Sequence, residues 1–295
     1  MKQALIPLPR TPRQVIVSDV EGDLQVVGWD RSDASAKTDG DQVDLVFEND
    51  VLTVTCDGAL ILYVPSASAL TVSNVARDLD LRAVMGGVRI ENIGGDAQLR
   101  NAGRVTLNNV ARDLNARNIN GDFACANVGD DASIRQVCGA VMLGNVGSDL
   151  YLRDVDADIS ATVGSDAVLY WQPRAGLTCR VTAGSDILLR VDGAVDAAFS
   201  IQGGGPDAIR VDLPGVTPGD ESTQRVFTLG SGAAAIQLTA GGDVVITSRA
   251  DEWESKVEFD TFSRDFGFDP GDIAERVSRI TEEATHRTMR QAQRA

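Results

Sequence analysis

Apolar residues follow a nine-residue rule between residues 70 and 158. Cutting the chain at Leu70 gives ten consecutive blocks, one of them a residue short, and each has apolar residues at its positions 1, 3 and 6. Positions 1 and 3 have the period of a short strand with one buried face. Because so short a strand cannot bury its face alone, the blocks must stack, as they do in solenoids. The pattern predicts an all-β fold, a right-handed parallel β-solenoid (β-helix).

Position 4 shows that one coil contains two blocks, or about 18 residues. It is Arg only in alternate blocks, and an Asp lies four residues before each of these arginines. Equivalent residues of stacked coils lie about 4.8 Å apart, so each set should form a row across one sheet. The arginine ladder is Arg82, Arg100, Arg117, Arg135 and Arg153, and the aspartate ladder is Asp78, Asp96, Asp113, Asp131 and Asp149.

The two ladders allow two interpretations. They could form a surface lattice of Arg–Asp pairs, each contributing about 0.2–1 kcal/mol. Alternatively, the arginine ladder could bind an anionic polymer, a phosphate-rich surface or an acidic partner, because guanidinium groups suit such ligands.

Position 5 of the blocks is predicted to form a corner of the coil. It is Asn in seven of the ten blocks. Asn tolerates left-handed backbone geometry and forms hydrogen bonds within its own turn. We therefore expect strand, corner and turn in each block.

The chain outside the regular blocks suggests four segments. We predict an N-terminal tail or cap at 1–12, the solenoid at 13–249, an aromatic linker or cap at 250–268, and an amphipathic helix at 269–293. Asp269 and Pro270 are typical of a helix start. Five rings are expected to dock onto the terminal coil or onto a partner. They are Trp253, Phe259, Phe262, Phe266 and Phe268.

Composition narrows the class of protein. Apolar residues make up 43% of the chain, which suits a folded core, and the net charge of -16 makes nucleic-acid binding improbable. The first residues contain several prolines and no long apolar run, so we expect no signal peptide, no membrane span and a cytoplasmic location. Four cysteines without CxxC spacing are expected to be free and buried.

Catalytic and metal chemistry have little support in the sequence. The chain has one histidine, His286, so the solenoid cannot contain a Ser/His/Asp site. Position 6 of the blocks is apolar, mostly Val or Ile, where calcium-binding nonapeptide rolls need a turn glycine. We expect no enzyme activity, no cofactor and no metal.

Three short motifs carry a family resemblance. They are Glu21-Gly22-Asp23, Gly28-Trp29-Asp30 and Val64-Pro65, followed by serial Gly-Asp turns. With these motifs, residues 13–249 resemble a bacterial β-helical family of unknown function that is labelled "putative adhesin". The resemblance implies a β-helical fold and a surface-binding role, and it brings no catalytic residues.

The function predicted from the sequence is that of a non-enzymatic scaffold or interaction protein. It would bind a protein partner or associate with itself through its ends or its helix, as the cytoplasmic β-helical bactofilins do when they form filaments. The alternative is a module that binds an anionic polymer or an acidic partner along the arginine ladder.

Overall fold

The computed structural model describes residues 2–191, 193–217 and 222–248. The predicted aromatic linker with its five rings and the predicted C-terminal helix lie outside these residues. The described residues form 26 β-strands. The strands are β1 Lys2–Pro7, β2 Gln14–Val20, β3 Leu24–Trp29, β4 Asp33–Thr38, β5 Val43–Glu48, β6 Val51–Cys56, β7 Leu60–Pro65, β8 Ala69–Val75, β9 Leu79–Arg82, β10 Val88–Ile93, β11 Ala97–Ala102, β12 Val105–Val110, β13 Leu114–Ile119, β14 Phe123–Val128, β15 Ala132–Val137, β16 Val141–Val146, β17 Leu150–Val155, β18 Ile159–Val163, β19 Ala167–Tyr170, β20 Thr178–Ala183, β21 Ile187–Arg190, β22 Ala197–Gln202, β23 Ile209–Asp212, β24 Gln224–Leu229, β25 Ala234–Ala240 and β26 Val244–Thr247.

The strands form two sheets of 13 strands each. From β8 to β21 the chain alternates between the sheets, so each coil contributes one strand to each sheet and pairs in parallel with the coils before and after it. We call the sheet that contains β9, β11 and β13 sheet A, and the sheet that contains β8, β10 and β12 sheet B. This architecture confirms the predicted all-β solenoid.

Burial follows the nine-residue rule. In β14, for example, Phe123, Cys125 and Val128 are buried, and the residues between them are half-buried or exposed. Register pairs Phe123 with Val105 on one side and Val141 on the other, so apolar side chains stack on equivalent side chains of the next coil. The core between the sheets is therefore a set of continuous, mainly aliphatic columns.

The predicted corner at position 5 has left-handed geometry in sheet A only. The left-handed residues of the regular coils are Ala83, Asn101, Asn118, Gln136 and Asp154, with φ from 53° to 58°. Asn side chains instead link coils in both sheets. Asn118 donates a hydrogen bond to Asn101 in sheet A at 2.9 Å, and Asn92 donates one to Asn74 in sheet B at 2.9 Å.

The two ends of the solenoid depart from sequential stacking in the same way. The coil β2–β3 lies between β6–β7 and β8–β9, and the coil β25–β26 lies between β20–β21 and β22–β23. Antiparallel strands complete both ends: β1, β4 and β5 at one, and β24 at the other. The prediction of a solenoid over residues 13–249 did not include this change of order at the ends. An antiparallel outer strand does not repeat the parallel coil pattern, so the parallel stack ends there.

The four cysteines are free, as expected, but they are not all buried. Cys125 and Cys179 are buried, and burial raises the pKa of each thiol to about 12. Cys56 is half-buried and Cys138 is exposed, because Cys138 lies at a turn after the last buried position of its block. In the described part of the chain, no helix is long and apolar enough to cross a membrane.

Candidate interaction surface on sheet A

The arginine ladder lies in register on the outer face of sheet A. Arg82 pairs with Arg100, Arg100 with Arg117, Arg117 with Arg135, and Arg135 with Arg153. Their side chains alternate with the buried positions of the same strands, which places them on the side of the sheet away from the core. Five guanidinium groups thus follow one another at the spacing of neighbouring strands.

Different neighbours hold the individual arginines. Arg82 forms a two-point ion pair with Asp80, with N–O distances of 2.9 and 2.7 Å. Arg117 donates a hydrogen bond to Gln136 at 3.1 Å. The guanidinium of Arg153 lies 3.6 Å from the carboxylate of Asp154. These contacts use residues two, one or 19 positions away in the sequence, none of which belongs to the aspartate ladder.

The aspartate ladder instead binds the backbone. Oδ1 of each Asp accepts a hydrogen bond from the backbone N–H of the equivalent Asp in the following coil, at 2.9 Å from Asp96 to Asp78 and 3.1 Å from Asp131 to Asp113. The remaining bonds of the ladder are 2.9–3.2 Å long. The same bond continues beyond the ladder in both directions. The added residues are Asp23, Asp166, Asp186 and Asp243.

The surface lattice between the two ladders is therefore not what holds either ladder in place. The aspartates stabilise a corner of the coil, and the arginines find partners on the outer face. Burial raises the pKa of Asp113 and of Asp131, and neighbouring carboxylates raise both further. The hydrogen bond that each accepts from the next coil acts in the opposite direction.

Aromatic rings join the arginines toward the C-terminal coils. Tyr170 is in register with Arg153 on one side and Arg190 on the other, and both guanidinium carbons lie 5.5 Å from the centre of its ring. Tyr151 lies 5.7 Å from Tyr170 between ring centres, and Arg135 lies 4.9 Å from the centre of the Tyr151 ring. A hydrogen bond with Tyr151 is the main cause of a raised pKa for Arg153. Cation–π contacts of this kind hold the guanidinium groups in defined positions.

A cavity of about 300 Å³ opens at the corner beside these rings. The coil that begins at Asp166 is 20 residues long instead of 18 or 17, and its extra residues lie in the segment 171–177 between β19 and β20. Trp171 fills the base of this corner, where its indole N–H donates to the carbonyl of Ala157 at 3.1 Å. We call this space the corner cavity. Its polar lining is Arg153, Asp154, Asp156, Tyr170, Gln172, Arg174 and Arg190.

The sequence pattern found the arginine ladder but missed the residues that continue it. Tyr170 and Arg190 occupy the same column, and Arg174 lies in the segment that widens the coil. The available signal was the change in spacing of the turn aspartates, from 17 between Asp149 and Asp166 to 20 between Asp166 and Asp186. A longer coil means an inserted loop, and a loop beside a flat sheet can form the wall of a cavity.

The Gly28-Trp29-Asp30 motif has a structural explanation. Trp29 stacks on Tyr63 with ring centres 5.1 Å apart, and its indole N–H donates to the carbonyl of Asp33 at 2.9 Å. A Cβ atom at Gly28 would lie 2.0 Å from the carbonyl oxygen of Ala83, so only glycine fits between these strands. The motif therefore fixes the packing of the first coil.

Comparisons with known proteins yielded one remote likeness. No family model matches the chain, and no curated protein matches it. A solved structure described as a "putative cell adhesion protein" from Clostridium sporogenes ATCC 15579 aligns with 84% of this chain and 99% of its own, at 10% identity and a TM-score of 0.20. So low a TM-score does not establish a shared fold.

Proposed function

We propose that this protein is a non-enzymatic, cytoplasmic interaction scaffold that binds an anionic polymer or an acidic partner along the outer face of sheet A. The observation that carries this proposal is the in-register arginine ladder. The family resemblance of residues 13–249, with its surface-binding label, is compatible with it.

The repulsion between neighbouring guanidinium groups supports a role for the ladder, which is a local basic strip on an acidic chain. The chain has 43 acidic and 27 basic residues, and like charges about 4.8 Å apart repel each other by about 1 kcal/mol in water. Neighbouring guanidinium groups of the column therefore repel one another, and within the ladder Arg82 and Arg153 each have a carboxylate beside them. An anionic polymer lying along the strand-stacking direction would meet one guanidinium per coil and would remove that repulsion.

Retention on immobilised heparin tests this proposal, with R100Q/R117Q/R135Q as the test variant. These central arginines are expected to supply most of the attraction, so the wild type should be retained at low salt and the variant should pass through. R77Q/R89Q/R112Q is the matched control, since it removes the same charge from other parts of the surface and should be retained. The proposal fails if the wild type is not retained or if both variants lose retention equally.

Self-association through the ends is the second candidate function. Three exposed large apolar residues lie on outer strands: Leu5 on β1 is 60% exposed, Val46 on β5 is 49% exposed, and Val226 on β24 is 78% exposed. Outer strands present unpaired backbone groups on which another chain can pair. Apolar side chains on such strands favour contact between copies.

Sedimentation at increasing protein concentration tests the second candidate. We expect a shift from monomer to larger species that the substitutions L5K and V226K remove, because a charge on an outer strand opposes pairing. A monomer at every concentration would exclude this candidate without affecting the arginine ladder.

A further inference from the structure

The corner cavity differs from the rest of the sheet A face because it is concave. The segment 171–177 forms its wall, and an ion pair of 2.9 Å between Arg174 and Asp156 holds this wall against the preceding coil. Trp171, only 2% exposed, supports it from below. Arg174 and Trp171, two of the side chains that line the cavity, thus have defined partners.

The cationic groups of the cavity have a defined arrangement. The Tyr170 ring lies between Arg153 and Arg190, which hold their guanidinium carbons at 5.5 Å on each side of it. Because the ring is occupied by guanidinium groups, a ligand would meet the edges of those groups and not the ring face. Guanidinium edges present paired N–H donors that match a carboxylate.

The anionic groups of the cavity restrict the ligand further. Asp154 and Asp156 contribute two carboxylates against the three arginines 153, 174 and 190, so the lining carries a net charge of only about +1. A doubly charged phosphate would be repelled by both carboxylates. A ligand with a single negative charge and several hydroxyl groups could place its charge on the arginines and donate hydrogen bonds to the aspartates and to Gln172.

We propose that the corner cavity binds a single uronic acid unit, a sugar that carries one carboxylate and several hydroxyl groups. The volume of about 300 Å³ is at the lower end of small-molecule sites, which suits one sugar unit. This inference deepens the proposed function, since the cavity lies at one end of the arginine ladder and would hold a terminal unit of an acidic polysaccharide lying on it. Arg153 belongs to both the cavity and the ladder, but Arg174 and Arg190 belong to the cavity alone, so the inference can fail or succeed separately.

Calorimetric titration of the full chain with four small molecules tests the ligand class. Galacturonate should bind, and galactose, glutamate and inorganic phosphate should each bind at least about tenfold more weakly, the change that loss of one charge-assisted interaction gives. Equal or tighter binding of glutamate would show that the hydroxyl groups contribute nothing. Tighter binding of phosphate, or absence of galacturonate binding, would overturn the proposal.

Single substitutions assign the binding to the cavity. R153Q and R174Q should each weaken galacturonate binding by about tenfold, and R112Q, an exposed arginine outside the cavity, should leave it unchanged. D154N is a second readout, because it removes a negative charge and should bring phosphate closer to galacturonate in affinity. Unchanged galacturonate binding in both R153Q and R174Q would contradict the assignment.

The same titrations separate this inference from the function proposed for the ladder. R100Q/R117Q/R135Q should lose heparin retention and keep galacturonate binding, because those arginines lie outside the cavity. R174Q should keep heparin retention and bind galacturonate about tenfold more weakly. If the wild type is retained on heparin but does not bind galacturonate, only the cavity proposal fails. If it binds galacturonate but is not retained on heparin, only the proposal for the arginine ladder fails.

Discussion

The aspartate and arginine ladders recur with the same spacing, yet they have opposite relations to the fold. Each ladder aspartate accepts a hydrogen bond from a backbone N–H of the next coil. The ladder arginines contact side chains on the outer face, and these differ from coil to coil: Asp80, Gln136, Tyr151 and Asp154. A repeat that has the same partner in every coil is part of the architecture. The arginines keep the same residue type in successive coils while their partners vary. This is what a row of residues retained for binding would show.

Removal of the side-chain carboxylates of the aspartate ladder should cause the largest loss of stability. D113A/D131A leaves the backbone N–H groups of Asp131 and Asp149 without their acceptors. We expect the free energy of unfolding to fall by about 2–3 kcal/mol, near 1 kcal/mol for each lost hydrogen bond plus partial desolvation. Chemical denaturation followed by circular dichroism measures this decrease. A decrease smaller than that of R100Q/R117Q/R135Q would contradict the structural role of the aspartate ladder.

Replacement by asparagine should restore most of this stability. The side-chain amide of D113N/D131N keeps an Oδ1 acceptor at the same distance from the next coil. The loss of unfolding free energy should therefore be less than half that of D113A/D131A, measured in the same denaturation experiment. Equal losses would mean that the negative charge, and not the hydrogen bond, stabilises the corner.

Acidification should affect the aspartate ladder in an unusual direction. The pKa values of Asp113 and Asp131 are raised, chiefly by burial, so these carboxyls bind protons more readily in the folded chain than in the unfolded one. Their contribution to stability therefore increases as the pH falls through the raised folded pKa, and it is complete below the ordinary Asp value of about 3.9.

The difference in unfolding free energy between the wild type and D113N/D131N isolates this contribution from all other carboxyls. The wild type should gain unfolding free energy relative to D113N/D131N when the denaturation experiment is repeated at values from about pH 7 down to about pH 4. A shift in favour of the variant would mean that the folded pKa values are lowered.

The arginine substitutions should have the smallest effect on stability. Each surface change outside the core should alter the free energy of unfolding by no more than about 0.5 kcal/mol, and R100Q/R117Q/R135Q also removes repulsion between neighbouring guanidinium groups. We expect an unfolding midpoint close to that of the wild type. A loss comparable to that of D113A/D131A would show that the arginine ladder, too, is architectural.

The regular coils could be predicted from the sequence because one local rule determines them. Apolar residues at positions 1, 3 and 6 specify which side chains face the core, and the alternation of Arg117 with Ala126 at position 4 gives the coil length. Nothing in that rule depends on distant parts of the chain. The column pairing of the five arginines follows directly from it.

The ends and the corner cavity could not be predicted in the same way. Coil β2–β3 is placed between two later coils, an arrangement decided by long-range pairing that leaves no trace in local periodicity. Tyr170 replaces Arg in the arginine column, so a search for repeated residue types passes over it. The role of the aspartates was missed because hydrogen bonds to the backbone of another coil do not show in residue identity.

The most direct test of the contrast between the ladders is heparin retention of D113A/D131A beside R100Q/R117Q/R135Q, both kept well below their unfolding midpoints. If the aspartates stabilise and the arginines bind, the Asp variant is retained like the wild type and the Arg variant passes through. Loss of retention in the Asp variant with retention in the Arg variant would contradict the assignment of binding to the arginine ladder.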